Sequence, residues 1–164
     1  MTPETTAAQL VAGLLSRGQT VATAESLTGG LIGATITAIP GASQVYLGGV
    51  VVYATSLKHL LGGVNEDILQ SAGAVSPQTA EALAEGTRQR TGADWAIAVT
   101  GVAGPDPQEG HQPGTVWLGL VGPGHPASAS LLELRGSREQ IRVQTVDAAM
   151  SRLLLLLQGS GSSS

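Results

Sequence analysis

A chain of 164 residues with 42% apolar residues suits one domain built on one core. Its net charge is -4 with only 8 Lys and Arg, and aromatics make up 2% with no Phe, so neither a basic stripe nor a stacking surface for nucleic acid is present. The absence of Cys excludes disulfides, thiolate catalysis and cysteine metal sites, and no all-apolar run is longer than the five residues at 153–157, far short of a bilayer span.

The start, Met1-Thr2-Pro3-Glu4, has no basic segment, so no signal peptide is expected and the cytoplasm is the expected compartment. Thr2-Pro3 opens a first helix whose apolar face is Ala7, Leu10, Val11, Leu14 and Leu15, and Gly18 ends it. Residues 19–24 read as a short buried strand. A second helix is expected over 28–37, stopped by Pro40-Gly41. The β-branched run 45–53 is a strand, and Gly48-Gly49 within it predicts a bulge or a close backbone approach.

Residues 56–61 form a short helical turn. Ser76-Pro77 opens a firmer helix with Ala80, Leu83 and Ala84 on one side, ending at Gly92. Residues 95–99 are a buried strand. The Gly- and Pro-rich stretch 101–114 is a loop of the length that often carries function. Strands at 115–121 and 128–134 pair through Gly122-Pro123-Gly124. The last helix starts at Ser137, with Ile141, Thr145, Ala148, Ala149, Leu153 and Leu156 near helical spacing. Residues 159–164 form a flexible Gly/Ser tail. Alternating helices and strands give one domain over 1–158, a three-layer α/β/α fold with a mixed sheet of about five strands.

Thr23-Ala24-Glu25-Ser26-Leu27-Thr28-Gly29-Gly30 carries a carboxylate, hydroxyls and two glycines through a strand-to-helix turn. Ser26 reads either as a nucleophile, which needs a base and an oxyanion pocket, or as a helix cap. Glu25 either accepts helix-start amides or orients a substrate amide, and Gly29 and Gly30 permit close backbone approach. Backbone amides over 27–30 are the expected oxyanion donors.

Lys58 and His59, after Tyr53, are the candidate bases, set against a solvated lysine and a helix-end histidine. A Ser–Lys pair works only if the amine loses its proton, which burial or a neighbouring cation favours. Thr100-Gly101-Val102-Ala103-Gly104-Pro105 follows a strand where open α/β sheets bind ligands, and its amides suit a phosphate or carboxylate; a plain crossover loop is the alternative. It lacks the Gly-Lys-Ser/Thr of a Walker loop.

Ser137-Arg138-Glu139-Gln140 is a capping-box pattern that puts Arg138 at the first helical position, where a cation is unfavourable unless it grips an anion. Arg142, one turn on, adds to the same patch. His59, His111 and His125 are isolated, and Asp106, Glu109 and His111 lack ligand spacing, so no metal and no cofactor is expected.

The segments TAESLTGGLIGATITAIPGAS at 23–43, YLGGVVVYATSLKHLLGGV at 46–64, GAVSPQTAEALAEG at 73–86, AVTGVAGPDP at 98–107, GTVWLGL at 114–120 and SREQIR at 137–142 resemble, in this order, the CinA C-terminal domain family, also called the nicotinamide-nucleotide amidase family. The similarity extends over about residues 4–157. It implies an α/β/α domain that hydrolyses nicotinamide mononucleotide to nicotinic acid mononucleotide and ammonia, and it favours a homodimer. Ser26 matches the family's catalytic serine and Lys58 its base. The resemblance further implies that Tyr53 supports that pair, Thr100 hydrogen-bonds in the pocket with Gly101 and Gly104 nearby, and Arg138 takes the phosphate. Glu25, Thr28, Gly29 and Gly30 complete the expected substrate contacts. Leu27 departs from the Cys of many relatives, and Ala54-Thr55-Ser56 from a common Ser-Asn-x. The alternative to an amidase is a weakly active or inactive nucleotide-binding or assembly domain, which would bind nucleotide without releasing ammonia.

Overall fold

The computed structural model describes residues 2–159. Its elements in order are α1 (Pro3–Arg17), β1 (Val21–Glu25), α2 (Leu31–Thr37), a 3-10 turn (Ala42–Gln44), β2 (Tyr46–Val51), α3 (Thr55–Leu60), α4 (Glu66–Ala72), α5 (Pro77–Thr91), β3 (Trp95–Gly101), β4 (Thr115–Gly122), β5 (His125–Glu133) and α6 (Arg138–Gly159). The sheet runs β2-β1-β3-β4-β5. β1 is parallel to both its neighbours, and β3, β4 and β5 form an antiparallel meander. The expected three-layer α/β/α fold with a mixed five-stranded sheet is what forms.

Alternation along the central strands builds two cores. Val21, Ile97 and Leu118 face Leu10, Leu14, Ile36, Met150 and Leu153 of α1, α2 and α6. Ala24, Ala96, Ala98 and Val121 face Leu83 and Ala84 of α5. The second face is lined with small residues because α5 lies close to the sheet: a Cβ at Gly119 would collide with the Ala80 carbonyl. Every residue of β1 is buried, as a central parallel strand covered on both faces requires.

Helix ends follow their chemistry. Thr2 accepts from the Thr5 N–H and Ser76 from the Thr79 N–H, each ahead of a first-turn proline, and Gly18 and Gly92 close α1 and α5 in the left-handed region. The bulge expected at Gly48 is present, since the β1–β2 register slips between Val21–Tyr46 and Ala22–Gly48. Gly49 also makes the close approach, because a Cβ there would lie 2.9 Å from the Tyr46 hydroxyl.

Several boundaries differ from expectation. α2 starts at Leu31, not at residue 28, because Gly29 and Gly30 have φ of 61° and 105° and keep 28–30 in a turn. β2 stops at Val51, and β5 starts at His125, so the hairpin is tighter than expected. α4 was not foreseen: Asn65 caps it, but it is seven residues long with none fully buried, and only Ile68 and Leu69 pack half-buried against the core, too short a stripe to read. The tail expected at 159–164 lies outside the described residues, apart from Gly159 at the end of α6. Among the described residues no helix is long and apolar enough to cross a membrane.

Candidate active site

The carboxyl ends of β1, β2 and β3 lie side by side, the location where open α/β sheets place ligands. Ser26 follows β1 directly. The turn after it is closed by the Gly29 N–H donating to the Ser26 carbonyl (3.1 Å) and the Leu31 N–H donating to Thr28 (3.0 Å). Beneath the turn, Glu25 is 2% exposed. One carboxylate oxygen accepts from the Thr28 hydroxyl (2.7 Å) and the Ile32 N–H (2.8 Å), and the other accepts from the Gly33 N–H (3.0 Å). An anion on the first amides of a helix is favourably placed.

That arrangement places the expected residues of the turn. Of the two readings of Glu25, its carboxylate makes the contacts of the first, accepting the helix-start amides. Thr28 is fully buried against it. Gly29 and Gly30 shape the turn but lie outside the cavity lining, and the cap of α2 is Gly30, so Ser26 is not spent as a cap. Arg142, expected in an anion patch, instead reaches from α6 to the turn: Nε donates to the Leu27 carbonyl (2.9 Å) and an Nη to that of Thr28 (3.3 Å).

Lys58, on α3, is the one lysine of the chain and is 2% exposed. Nζ donates to the Val52 carbonyl (2.8 Å) and the Tyr53 carbonyl (3.2 Å), and it lies 3.0 Å from Ser26 Oγ. The early end of β2 is what leaves those two carbonyls free. Burial pushes the amine from 10.5 down to about 8, against the opposing negative charge of Glu109. A neutral amine has two N–H groups and one lone pair. The two carbonyls take the N–H groups, which turns the lone pair toward the serine hydroxyl. His59 is not positioned as a base: its Nδ1 pairs with the Val64 carbonyl (2.7 Å), and its Nε2 lies 3.8 Å from Glu66.

Ser26 and Lys58 open into a cavity of about 360 Å³ that Leu27, Tyr53, Thr100, Gly101, Gly104, Asp106 and Arg138 help to line. The Thr100 hydroxyl donates to the Ala74 carbonyl (2.7 Å), so it holds the cavity wall and keeps only acceptor capacity for a ligand. Arg138 donates to the Gly104 carbonyl and, at 3.2 Å, to the Tyr53 hydroxyl. Tyr53 therefore touches Lys58 through its main chain while its phenol belongs to Arg138, a division of roles that the sequence did not show. Among the described residues, the N–H groups of Leu27, Ala103 and Gly104 are donated to no protein acceptor. All three residues line the cavity.

Two residues in roles that the sequence did not assign them matter here. Glu109 accepts from the Ala74 and Val75 N–H groups, and Arg142 holds the serine turn. The sequence signal for Arg142 was its place one turn beyond Arg138; for Glu109 there was only its place in a long loop. Among the described residues no group of three His, Asp or Glu side chains is gathered as a metal site.

Comparison with known proteins agrees with the fold. The family model described as the CinA C-terminal domain matches residues 3–157. A putative competence-damage inducible protein of Limosilactobacillus fermentum is 50% identical over 145 residues, covering 88% of this chain and 35% of that protein. A CinA-like protein of Synechocystis is 46% identical over 161 residues, covering 96% of this chain and 39% of its own length. The chain thus spans little more than a third of the curated relatives it matches. Among solved structures, the competence/damage inducible protein CihA of Agrobacterium tumefaciens is 35% identical with a TM-score of 0.90, covering 95% of both chains. A CinA superfamily protein of Klebsiella pneumoniae is 30% identical with a TM-score of 0.93, covering 97% of this chain and 99% of the other. Fold, extent and sequence agree, and the chain belongs to the CinA C-terminal domain family.

Proposed function

We propose that this domain hydrolyses the carboxamide of nicotinamide mononucleotide, giving nicotinic acid mononucleotide and ammonia through a Ser26–Lys58 pair. One observation carries the reading: Nζ of a buried lysine lies 3.0 Å from a serine hydroxyl, with both of its other hydrogen-bond partners main-chain carbonyls. No carboxylate forms an ion pair with that amine among the described residues, and burial outweighs the opposing negative charge of Glu109 in favouring its neutral form.

The steps follow from what each group can donate. Ser26 Oγ attacks the carboxamide carbon while its proton passes to Lys58 Nζ. The carbonyl oxygen becomes an oxyanion, and the unpaired Leu27, Ala103 and Gly104 N–H groups are the donors available to it. Collapse breaks the C–N bond, and the proton on Lys58 leaves with the nitrogen as ammonia. A nicotinoyl ester on Ser26 remains. Water then attacks the ester, Lys58 accepts the water proton, and the carboxylic acid departs as Ser26 recovers its hydrogen. Arg138, anchored through Gly104 and Tyr53, keeps further N–H donors for the nucleotide phosphate.

The test is ammonia release from nicotinamide mononucleotide, run beside the nucleoside and free nicotinamide. The nucleotide should be strongly preferred, and Ser26→Ala should bind it while turnover falls by about 10^4-fold or more. Nucleotide binding without ammonia from the wild-type protein would instead support a binding or assembly domain.

A further inference from the structure

Residues 102–114 join β3 to β4, with 102–108 forming one wall of the cavity, and Ala74 and Val75 before α5 form part of the wall beside it. A single side chain joins the two. Glu109 Oε1 accepts from the Ala74 N–H (3.0 Å), and Oε2 accepts from the Val75 N–H (3.1 Å). A carboxylate shared by two successive amides is a strong, directional contact.

The receiving segment is itself fixed. The Gly73 carbonyl accepts from the Ser76 hydroxyl (2.9 Å) and the Thr79 hydroxyl (2.7 Å), and the Ala74 carbonyl accepts from Thr100. Gly73 leaves room for the carboxylate, because a Cβ there would lie 2.7 Å from Glu109 Oε2.

The backbone of Glu109 shows what the contact costs. Gln108 and His111 exchange N–H groups at 3.0 and 2.8 Å, closing a two-residue hairpin turn over Glu109 and Gly110. Both central residues have positive φ, 52° and 79°, as a type I′ turn demands. Asn, Asp and Gly favour the first of those positions, and Glu does not. Glu109 is the one non-glycine residue with positive φ among the described residues. Asp would suit the turn better but is one methylene shorter, so the residue present satisfies the contact at the expense of the turn. Local rules are broken in this way mainly where a site depends on it.

We propose that Glu109 is the positioning residue that latches the 102–114 wall to the Ala74–Val75 wall, holding the cavity in the shape in which an amide substrate meets Ser26. The latch also places a negative charge near the base. The charged and titratable groups around Lys58 are Glu109 and Asp106 from the loop, Arg138 from α6, Tyr53 after β2, and His59 beside it on α3. Burial lowers the amine and Glu109 opposes that fall, so the residue that shapes the cavity also sets how readily the base loses its proton. The catalytic part of the inference rests on the amidase reading; the latch itself does not.

The experiment compares wild type with Glu109→Gln and Glu109→Asn. Hydrogen exchange at the Ala74 and Val75 amides reads the latch without any turnover. A latch ranks protection Glu, then Gln, then Asn, with Asn losing about tenfold or more as two bonds to a charged acceptor disappear. KM for nicotinamide mononucleotide should rise in the same order, and the Lys58 titration midpoint should fall in both variants. A residue serving only the turn gives the opposite order, with Asn equal to or better than Glu in every readout. Wild-type protection of both amides in E109N overturns the proposal. A wild-type protein that releases no ammonia overturns the amidase reading, and amide exchange still decides the latch.

Discussion

The serine turn and the loop opposite it solve one problem, the shaping of a short stretch of backbone, by different means. The turn at 26–30 is fixed from inside the fold. Glu25 holds the start of α2 beneath it, and Arg142 holds the Leu27 and Thr28 carbonyls from the side. The loop at 102–114 is exposed over 105–110 and is tied to its surroundings by Glu109, which reaches the Ala74 and Val75 amides, and by Arg138, which holds the Gly104 carbonyl. Buried groups that satisfy one another give the turn a single geometry, which a nucleophile needs. An exposed loop held by two side chains, Glu109 and Arg138, gives a wall that can open, which suits substrate entry.

The sharpest way to break this comparison is at the base. Lys58→Met should lower turnover by about 10^3-fold or more while the nucleotide still binds, as expected for loss of the proton acceptor. Near-normal ammonia release by K58M would leave the Ser26–Lys58 geometry without a catalytic role.

Next in size is the support beneath the turn. Glu25→Ala removes the acceptor of the Thr28 hydroxyl and of the Ile32 and Gly33 N–H groups, and leaves those two amides at the start of α2 unpaired. Chemical denaturation should show a loss of about 3 kcal/mol, in line with buried bonds to a charged group. A loss under about 1 kcal/mol would mean that the turn is held by other means.

A smaller effect is expected at Arg142. Arg142→Met keeps an unbranched apolar stem but drops both bonds to the turn, so kcat should fall about tenfold with KM little changed. Equal loss in binding would place Arg142 with the ligand contacts of Arg138 instead.

The remaining expected effect is a pH slope in stability. The native amine releases its proton near pH 8 and the unfolded one near 10.5. Between those values the unfolded chain binds more protons, so stability rises with pH across that window. Below pH 8 both states are protonated, and the burial penalty stands in full. The rise should be absent in K58M, whose denaturation curves at pH 8 and 10 serve as the control.

Sequence and structure agree where local chemistry and burial point the same way. Gly18, Ser76-Pro77 and Gly92 marked helix ends because capping is a local matter. The run 95–99 read as a buried strand because both of its faces are covered. Ser26 and Lys58 stood as candidates on local chemistry beside plainer readings, and the family resemblance paired them, since nothing in a chain separation of 32 residues tells that two atoms meet. Glu25 stood with two readings, and only the fold shows its carboxylate turned down onto Ile32 and Gly33. Glu109 was hidden for a physical reason: its position favours Asn or Gly, and its partners at 74 and 75 are main-chain amides that leave no mark on side-chain pattern. α4 escaped because it is only seven residues long and packs just Ile68 and Leu69, half-buried, against the core.

The presence of a single lysine makes the central claim directly measurable. Labelling lysine with carbon-13 and nitrogen-15 yields one side-chain signal, and its pH titration reads the protonation of Lys58 alone. A midpoint near 8 is the expected result, the mark of an amine that burial has prepared to take the Ser26 proton. A midpoint near 10.5, the ordinary value for a solvated lysine, would contradict the account.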